Sequence, residues 1–265
     1  MNYIDTHAHL YDPAFDTDRR EVIQRSIEAG VNKILLPDVD SQSRAQMNAM
    51  ADEFRGICFP MVGLHPTSVN EFPERWQEEV EMVRHELTAN HKRYIAVGEI
   101  GMDLYWSQDF EAQQREAFTA QLDMSLEFDL PVAIHVRDAW ESTIAILEGY
   151  KGRGLRGVIH AYSGDVEAYK TIKGFGDFLF AIGGVVTFKK SKLAEVAREI
   201  PLKDLLLETD APYLTPTPHR GKRNESSYIP LIGDFIAQLK GVSAEEVATI
   251  TTANAMRLFG IGNDE

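Results

Sequence analysis

Residues 3–38 read Tyr3-Ile4-Asp5-Thr6-His7-Ala8-His9, then a helical stretch over 16–29, then Lys33-Ile34-Leu35-Leu36-Pro37-Asp38. The two flanking runs are short and largely apolar, as strands covered on both faces are. Between them Val22, Ile23 and Ile27 share one helical face, Asp18 and Glu21 have capping-box spacing, and Gly30 is placed to stop the helix. Strand, helix and strand in that order make a βαβ unit, which predicts parallel pairing.

The unit recurs along the chain. Strand candidates at 3–9, 33–38, 58–64, 94–101, 131–136, 157–161, 178–182 and 204–209 alternate with helical stretches at 16–29, 43–54, 75–90, 110–128, 141–148, 166–174, 192–199 and 228–239. Eight such units predict an α/β fold, a single (β/α)8 barrel of the TIM type occupying residues 1–265 as one domain. An open doubly wound sheet has the same periodicity, and spacing does not separate the two. A last helix, Ala244–Phe259, is expected to pack outside the barrel.

The chain has 41 acidic and 27 basic residues and a formal net charge of −14. Such a field repels polyanions and argues against a protein that coats nucleic acid by broad phosphate neutralisation. It leaves room for an enzyme that takes one strand end into a local site where metal ions supply the positive charge. The single cysteine, Cys58, allows no intrachain disulfide and suits a reducing compartment. The N-terminal residues have neither the basic start nor the apolar core of a signal peptide, and no apolar run approaches the roughly 20 residues that span a bilayer. A cytoplasmic protein is expected, with no membrane and no obligate protein partner evident.

The positions of the metal-capable residues say more. His7 and His9 end the first strand candidate, Glu99 the fourth, His135 the fifth, His160 the sixth and Asp210 the eighth. All lie at C-terminal ends, where barrels build their active sites. His7 and His9 are spaced i, i+2, so both side chains leave one face. A lone His-x-His is common by chance; four further N and O donors at the matching strand ends make a site. Imidazole plus carboxylate without thiolate suits Zn²⁺, Mn²⁺ or Mg²⁺ open to water. A set of this size suggests two divalent metal ions, with Glu99 placed to bridge them. Such a pair, about 3.5–4 Å apart, activates a water and stabilises both attacking and leaving oxygens. Asp210 would orient that water and take its proton, so Asp210 and Glu99 are the catalytic candidates.

The stretches Ile4-Asp5-Thr6-His7-Ala8-His9-Leu10, Gly63-Leu64-His65-Pro66, Val97-Gly98-Glu99-Ile100-Gly101-Met102-Asp103, Pro131-Val132-Ala133-Ile134-His135-Val136-Arg137, His160-Ala161-Tyr162-Ser163-Gly164 and Leu207-Glu208-Thr209-Asp210-Ala211-Pro212-Tyr213-Leu214 follow one another over almost the whole chain. As a set they resemble the successive motifs of the TatD family of metal-dependent deoxyribonucleases, in the amidohydrolase-like superfamily. The resemblance implies a TIM barrel and His7, His9, Glu99, His135, His160 and Asp210 as metal ligands. It also implies hydrolysis of phosphodiester bonds in DNA, as an exonuclease on single strands or strand ends. One departure is visible: after Arg220-Gly221-Lys222-Arg223-Asn224-Glu225, Ser226 stands where the family usually has proline.

Four residues are candidates for substrate binding. His65 ends the third strand candidate and is read as a phosphate contact, with a cap on the barrel rim as the plainer role. Arg137 lies two residues past His135 and faces the same way. It is suited to a phosphate, or else to an ion pair with Asp138 or Glu141. Arg220 and Lys222, with Arg223, form a compact basic run after the last strand, where phosphate sites of barrels often lie. A solvated loop is the ordinary reading of such a run, and of Lys189 and Lys190 as well. Asp5 and Glu208 sit one step deeper than His7 and Asp210 and are expected to orient ligands. Tyr105 and Trp106 suit either base stacking or lid packing.

The main rival is a metal-dependent amidohydrolase, lactonase or small phosphate-ester hydrolase on the same barrel. Those enzymes commonly bridge two metals with a modified lysine on the fourth strand. Here Glu99 holds that end and Lys92 lies at the other. A non-catalytic module would have lost ligands, and none of the six is missing. A cysteine nucleophile finds no support, because Cys58 starts its strand.

Overall fold

The apolar runs form short strands: β1 (Tyr3–Asp5), β2 (Val31–Leu36), β3 (Cys58–Pro60), β4 (Val97–Asp103), β5 (Val132–Arg137), β6 (Arg156–Ile159), β7 (Asp177–Ile182) and β8 (Leu205–Leu207). Helices α1 (Arg19–Glu28), α2 (Ser41–Glu53), α3 (Pro66–Glu71), α4 (Trp76–Asn90), α5 (Glu111–Glu127), α6 (Trp140–Glu148), α7 (Val166–Lys173), α8 (Leu193–Glu199), α9 (Ile229–Lys240) and α10 (Ala244–Phe259) alternate with them. This is a computed structural model, and it describes residues 1–262. No helix among the described residues is long and apolar enough to cross a membrane. The chain gathers into two compact units. One comprises residues 1–36, 50–59 and the chain from Phe180 onward; the other comprises residues 37–49 and 60–179.

In the first unit β1 pairs in parallel with β2, and β7 with β8. The first strand ends at Asp5, short of the expected 3–9, because the chain beyond it leaves the regular ladder. Thr6 N–H donates to Leu207 O at 3.1 Å and His9 N–H to Ala211 O at 2.8 Å, while His7 O accepts from Asp210 N–H at 2.9 Å. These bonds clamp the exits of β1 and β8 together. Helices α9 and α10 pack on these strands and bury Ile229, Ile232, Ile236, Val247 and Ala255. Full burial of such a Val or Ile side chain contributes about 1.5–3 kcal/mol. Asp18 does begin α1, but its side chain makes no capping bond. Its carboxylate is held instead by Arg25 at 3.2 Å and by Arg223 at 2.7 and 2.8 Å.

In the second unit β4, β5 and β6 lie side by side and parallel. The register runs Gly98↔Ala133 and then Ile100↔Ile134, so β4 carries a bulge at Glu99. Bulges re-aim a side chain out of its pleat, and this one frees Glu99 from alternation. Two residues later Gly101 has φ +144°, and a Cβ there would stand 2.1 Å from His135 O. Only glycine permits that approach.

Helix α5 turns two glutamines, one heptad apart, toward the strand exits. Gln114 accepts from Asp103 N–H at 2.8 Å and donates to Asp103 O at 2.8 Å. Gln121 treats Leu64 the same way, at 2.7 and 3.2 Å. Backbone groups beyond the ladders are thus satisfied by fully buried side chains rather than by water. The Gly101→Ala variant should lose about 1–3 kcal/mol of stability, the usual cost of forcing an atom into a packed contact. Urea denaturation with unchanged m-value would measure it, and wild-type stability would show that β4 and β5 separate freely.

Candidate metal centre

The second unit builds a cluster around one carboxylate oxygen. Glu99 Oε1 lies 2.9 Å from His135 Nδ1, 3.2 Å from His160 Nε2 and 3.2 Å from His65 Nε2. Glu99 is 2% exposed and His160 3%. His65, Glu99 and His135 offer ligand atoms that all lie within 4.8 Å of one another, close enough to hold one ion. The donors are imidazole and carboxylate, which fit Zn²⁺, Mn²⁺ or Mg²⁺.

His65 differs from the other two imidazoles. It caps α3, and its Nδ1 accepts the Thr67 backbone N–H at 3.1 Å, with Thr67 Oγ1 at 2.6 Å. An amide only donates, so neutral His65 carries its proton on Nε2, aimed at Glu99. The ring is therefore set as a hydrogen-bond donor toward Glu99.

His135 is fixed from behind by Asp103, whose Oδ2 lies 2.9 Å from Nε2. Asp103 is 1% exposed, and its Oδ1 accepts the Tyr105 N–H at 3.1 Å. Burial opposes charge on His135, but the bonds from Asp103 and Glu99 outweigh it and lift its pKa above the usual imidazole value. Burial pushes the Asp103 carboxyl the other way, yet the His135 bond holds it below the usual carboxylate range. The arrangement is the carboxylate–histidine pair that orients a metal ligand. Sequence reading missed Asp103. What singles it out is register: Gly101 pairs with His135, and Asp103, two residues on, shares its face.

The first unit builds a second cluster. His7 Nε2 and His9 Nε2 lie 3.8 and 3.6 Å from Asp210 Oδ1, with their rings edge to face at 5.1 Å. His9 Nδ1 is bonded to Tyr11 Oη at 2.9 Å, which fixes that ring. Asp210 has φ +58°, sparsely allowed for a residue with a side chain, at the point where its carboxylate turns toward the imidazoles. The Asp5 carboxylate accepts from Thr209 N–H at 2.9 Å, Thr209 Oγ1 at 2.5 Å and His7 N–H at 3.3 Å, so it holds the backbone beside His7 and Asp210. Burial pushes its carboxyl up to about 7. Asn224, also missed, is fully buried and donates to Thr209 O at 2.8 Å and Tyr213 O at 2.6 Å.

Of the six expected ligands, Glu99 lies against His135 and His160 within the second unit, and Asp210 lies near His7 and His9 within the first. His65 also lies against Glu99. Arg137 stacks over the Tyr105 ring at 3.6 Å, and Arg220 over Phe188 at 4.0 Å. Lys222 is exposed. Arg223 is committed to Asp18, the Ala14 carbonyl at 2.6 Å and the Phe15 ring, so the basic run presents two cations rather than three. Cys58 is buried and its thiol pushed up by desolvation, which makes it no nucleophile.

A family model described as TatD related DNase matches residues 4–260. An uncharacterized metal-dependent hydrolase of Bacillus subtilis, YabD, is 39% identical over 258 residues, 97% of this chain and 98% of that protein. A 3'-5' ssDNA/RNA exonuclease of Pantoea ananatis, TatD, is 32% identical over 262 residues, 97% of this chain and 99% of the relative. The crystal structure of YjjV, a TatD homologue from Escherichia coli, matches with TM-score 0.89 at 28% identity, covering 98% of both chains. Taken with the parallel strands, these likenesses make the fold class α/β of the TIM type. Removing the brace behind His135 isolates one contribution to the centre. Asp103→Ala should weaken divalent-ion binding by about 10–100-fold, as loss of such a carboxylate does elsewhere. Calorimetric titration of the apo protein checks this, and wild-type affinity would show that His135 needs no partner.

Proposed function

The chain belongs to the TatD related DNase family of metal-dependent hydrolases, and from that premise we propose that the bond it cleaves is the phosphodiester of DNA, on single strands or strand ends. The observation that carries the reading is the cluster around Glu99 Oε1, where His135 Nδ1 and His160 Nε2 approach within 3.2 Å beside the hydrogen-bonding His65. The relative described as an ssDNA/RNA exonuclease supports the substrate class. The family model runs through both compact units, in keeping with one hydrolase domain over residues 1–265.

In this reading Glu99, His135 and His160 would hold one divalent ion, and His7, His9 and Asp210 would hold another. When bound, the pair supplies electrophilic assistance and a more acidic water. Asp210 orients the attacking water and accepts its proton, which the negative charge of the carboxylate makes possible at neutral pH. His65 donates its Nε2 proton to a phosphoryl oxygen once substrate competes with Glu99 for it. Arg137, Arg220 and Lys222 bind the neighbouring phosphates. These contacts are few, as the net charge of −14 demands, so substrate is gripped locally rather than along a track.

The test is hydrolysis of single-stranded DNA labelled at either end by apo protein reloaded with each metal, with a cyclic amide alongside. Cleavage of the amide but not the DNA would replace this reading with the amidohydrolase one. Asp210→Asn keeps size and one oxygen but loses basicity, and should reduce turnover by roughly 10²–10⁴-fold while DNA affinity is retained. Glu99→Ala should lose the ion held with His135 and His160 by elemental analysis; unchanged metal content would end its assignment as a ligand. Replacing Arg220 and Lys222 together should raise KM with metal content intact, and an unchanged KM would return the loop to the solvated surface.

A further inference from the structure

Beyond β4 the chain does what apolar residues ordinarily avoid. Tyr105 is 52% exposed and Trp106 70%. Side chains of this size usually bury 150–250 Å² each. The two rings meet each other edge to face at 4.9 Å and 85°. Arg137, from the end of β5, lies over the Tyr105 face at 3.6 Å and 5.4 Å from the Trp106 centroid. A guanidinium stacked this way keeps its N–H edge turned outward for a phosphate. Two aromatic rings and a cation are thus braced against one another in water.

The brace is joined to the cluster around Glu99. Tyr105 N–H donates to Asp103 Oδ1 at 3.1 Å, and Asp103 Oδ2 lies 2.9 Å from His135 Nε2. Arg137 is two residues beyond His135 on the same strand and shares its face. A strand whose phosphate reached His135 would lay its adjoining nucleotide on these rings.

We propose that Tyr105, Trp106 and Arg137 form a stacking platform for an unpaired nucleobase next to the phosphate being cleaved. The inference rests on the nuclease reading above and names a subsite of it. A protein partner fits less well, since a standard interface buries about 800 Å² per side and this surface is two rings wide. A base does fit: every base offers a π-face, so stacking tolerates any sequence. The cation complements the strand's charge in a chain that is otherwise strongly acidic. Because a paired base cannot leave its neighbours to lie on the rings, the platform selects single strands over duplex.

The test is a thermodynamic cycle on binding. The full, metal-loaded chain is titrated with a labelled single-stranded phosphorothioate oligonucleotide, whose backbone resists hydrolysis, and with an abasic oligonucleotide of the same backbone. Trp106→Ala should bind the first roughly 10-fold more weakly, within the range of one lost base stack. It should bind the abasic strand as the wild type does, because the contact it lacks is then already absent. Trp106→Phe should recover most of the affinity, and both variants should melt with the wild type. Equal loss on both strands, or loss on neither, overturns the platform. Base-dependent binding without any DNA hydrolysis would leave the platform and remove the nuclease, whereas hydrolysis without base dependence would do the reverse.

Discussion

A carboxylate buried to 2% exposure with three imidazole nitrogens around one oxygen is the constraint on which the second unit is built. An ionised carboxylate is stable in the interior only when paired with donors or a cation. Placing Glu99 there takes a bulge in β4, and bringing the His135 backbone alongside takes Gly101, which has no side chain to collide with it. Glycine is used here where the sheet would otherwise favour a packed side chain, so local strand stability yields to the geometry of the centre.

The same demand explains the polar interior around both clusters. Strand ladders stop where the ligands begin, leaving amides and carbonyls that water cannot reach. Gln114, Gln121, Asp5, Thr209 and Asn224 satisfy them, all buried. Asp38 and Arg44, joined at 2.6 Å, do similar service beside Gly63. Each of these groups is costly to bury unless its bonds are complete, so each holds the backbone beside it in one position. Rigidity at the centre is thereby bought with hydrogen bonds rather than with apolar packing.

Electrostatics then separates cations by their neighbours. Arg223 resembles Arg220 and Lys222 in the chain, but the Asp18 carboxylate engages it from both nitrogens. Arg137 has no such carboxylate among its described contacts and lies on aromatic rings instead. A cation held by a carboxylate is already neutralised, while one held by a ring keeps its charge for a phosphate.

Periodicity and residue type alone determined the α/β class, the strand-and-helix order and the six ligand candidates, because these depend on alternation along the chain and on which atoms bind metals. His7 and His9 at i, i+2 and Glu99 at the end of an apolar run are local facts. What the sequence could not order was the set of contacts made by residues far apart in it. Nothing in Asp18-x-x-Glu21 says that Arg223, 205 positions away, takes the carboxylate expected to cap α1. Nothing in the amphipathic pattern of α5 distinguishes Gln114 and Gln121 from solvated glutamines. Asp103 could be found only through the register that sets Gly101 against His135. Likewise the proton on His65 was decided by where the Thr67 amide points. These are choices among partners of equal chemistry, and only the folded chain decides which of them comes within hydrogen-bond distance.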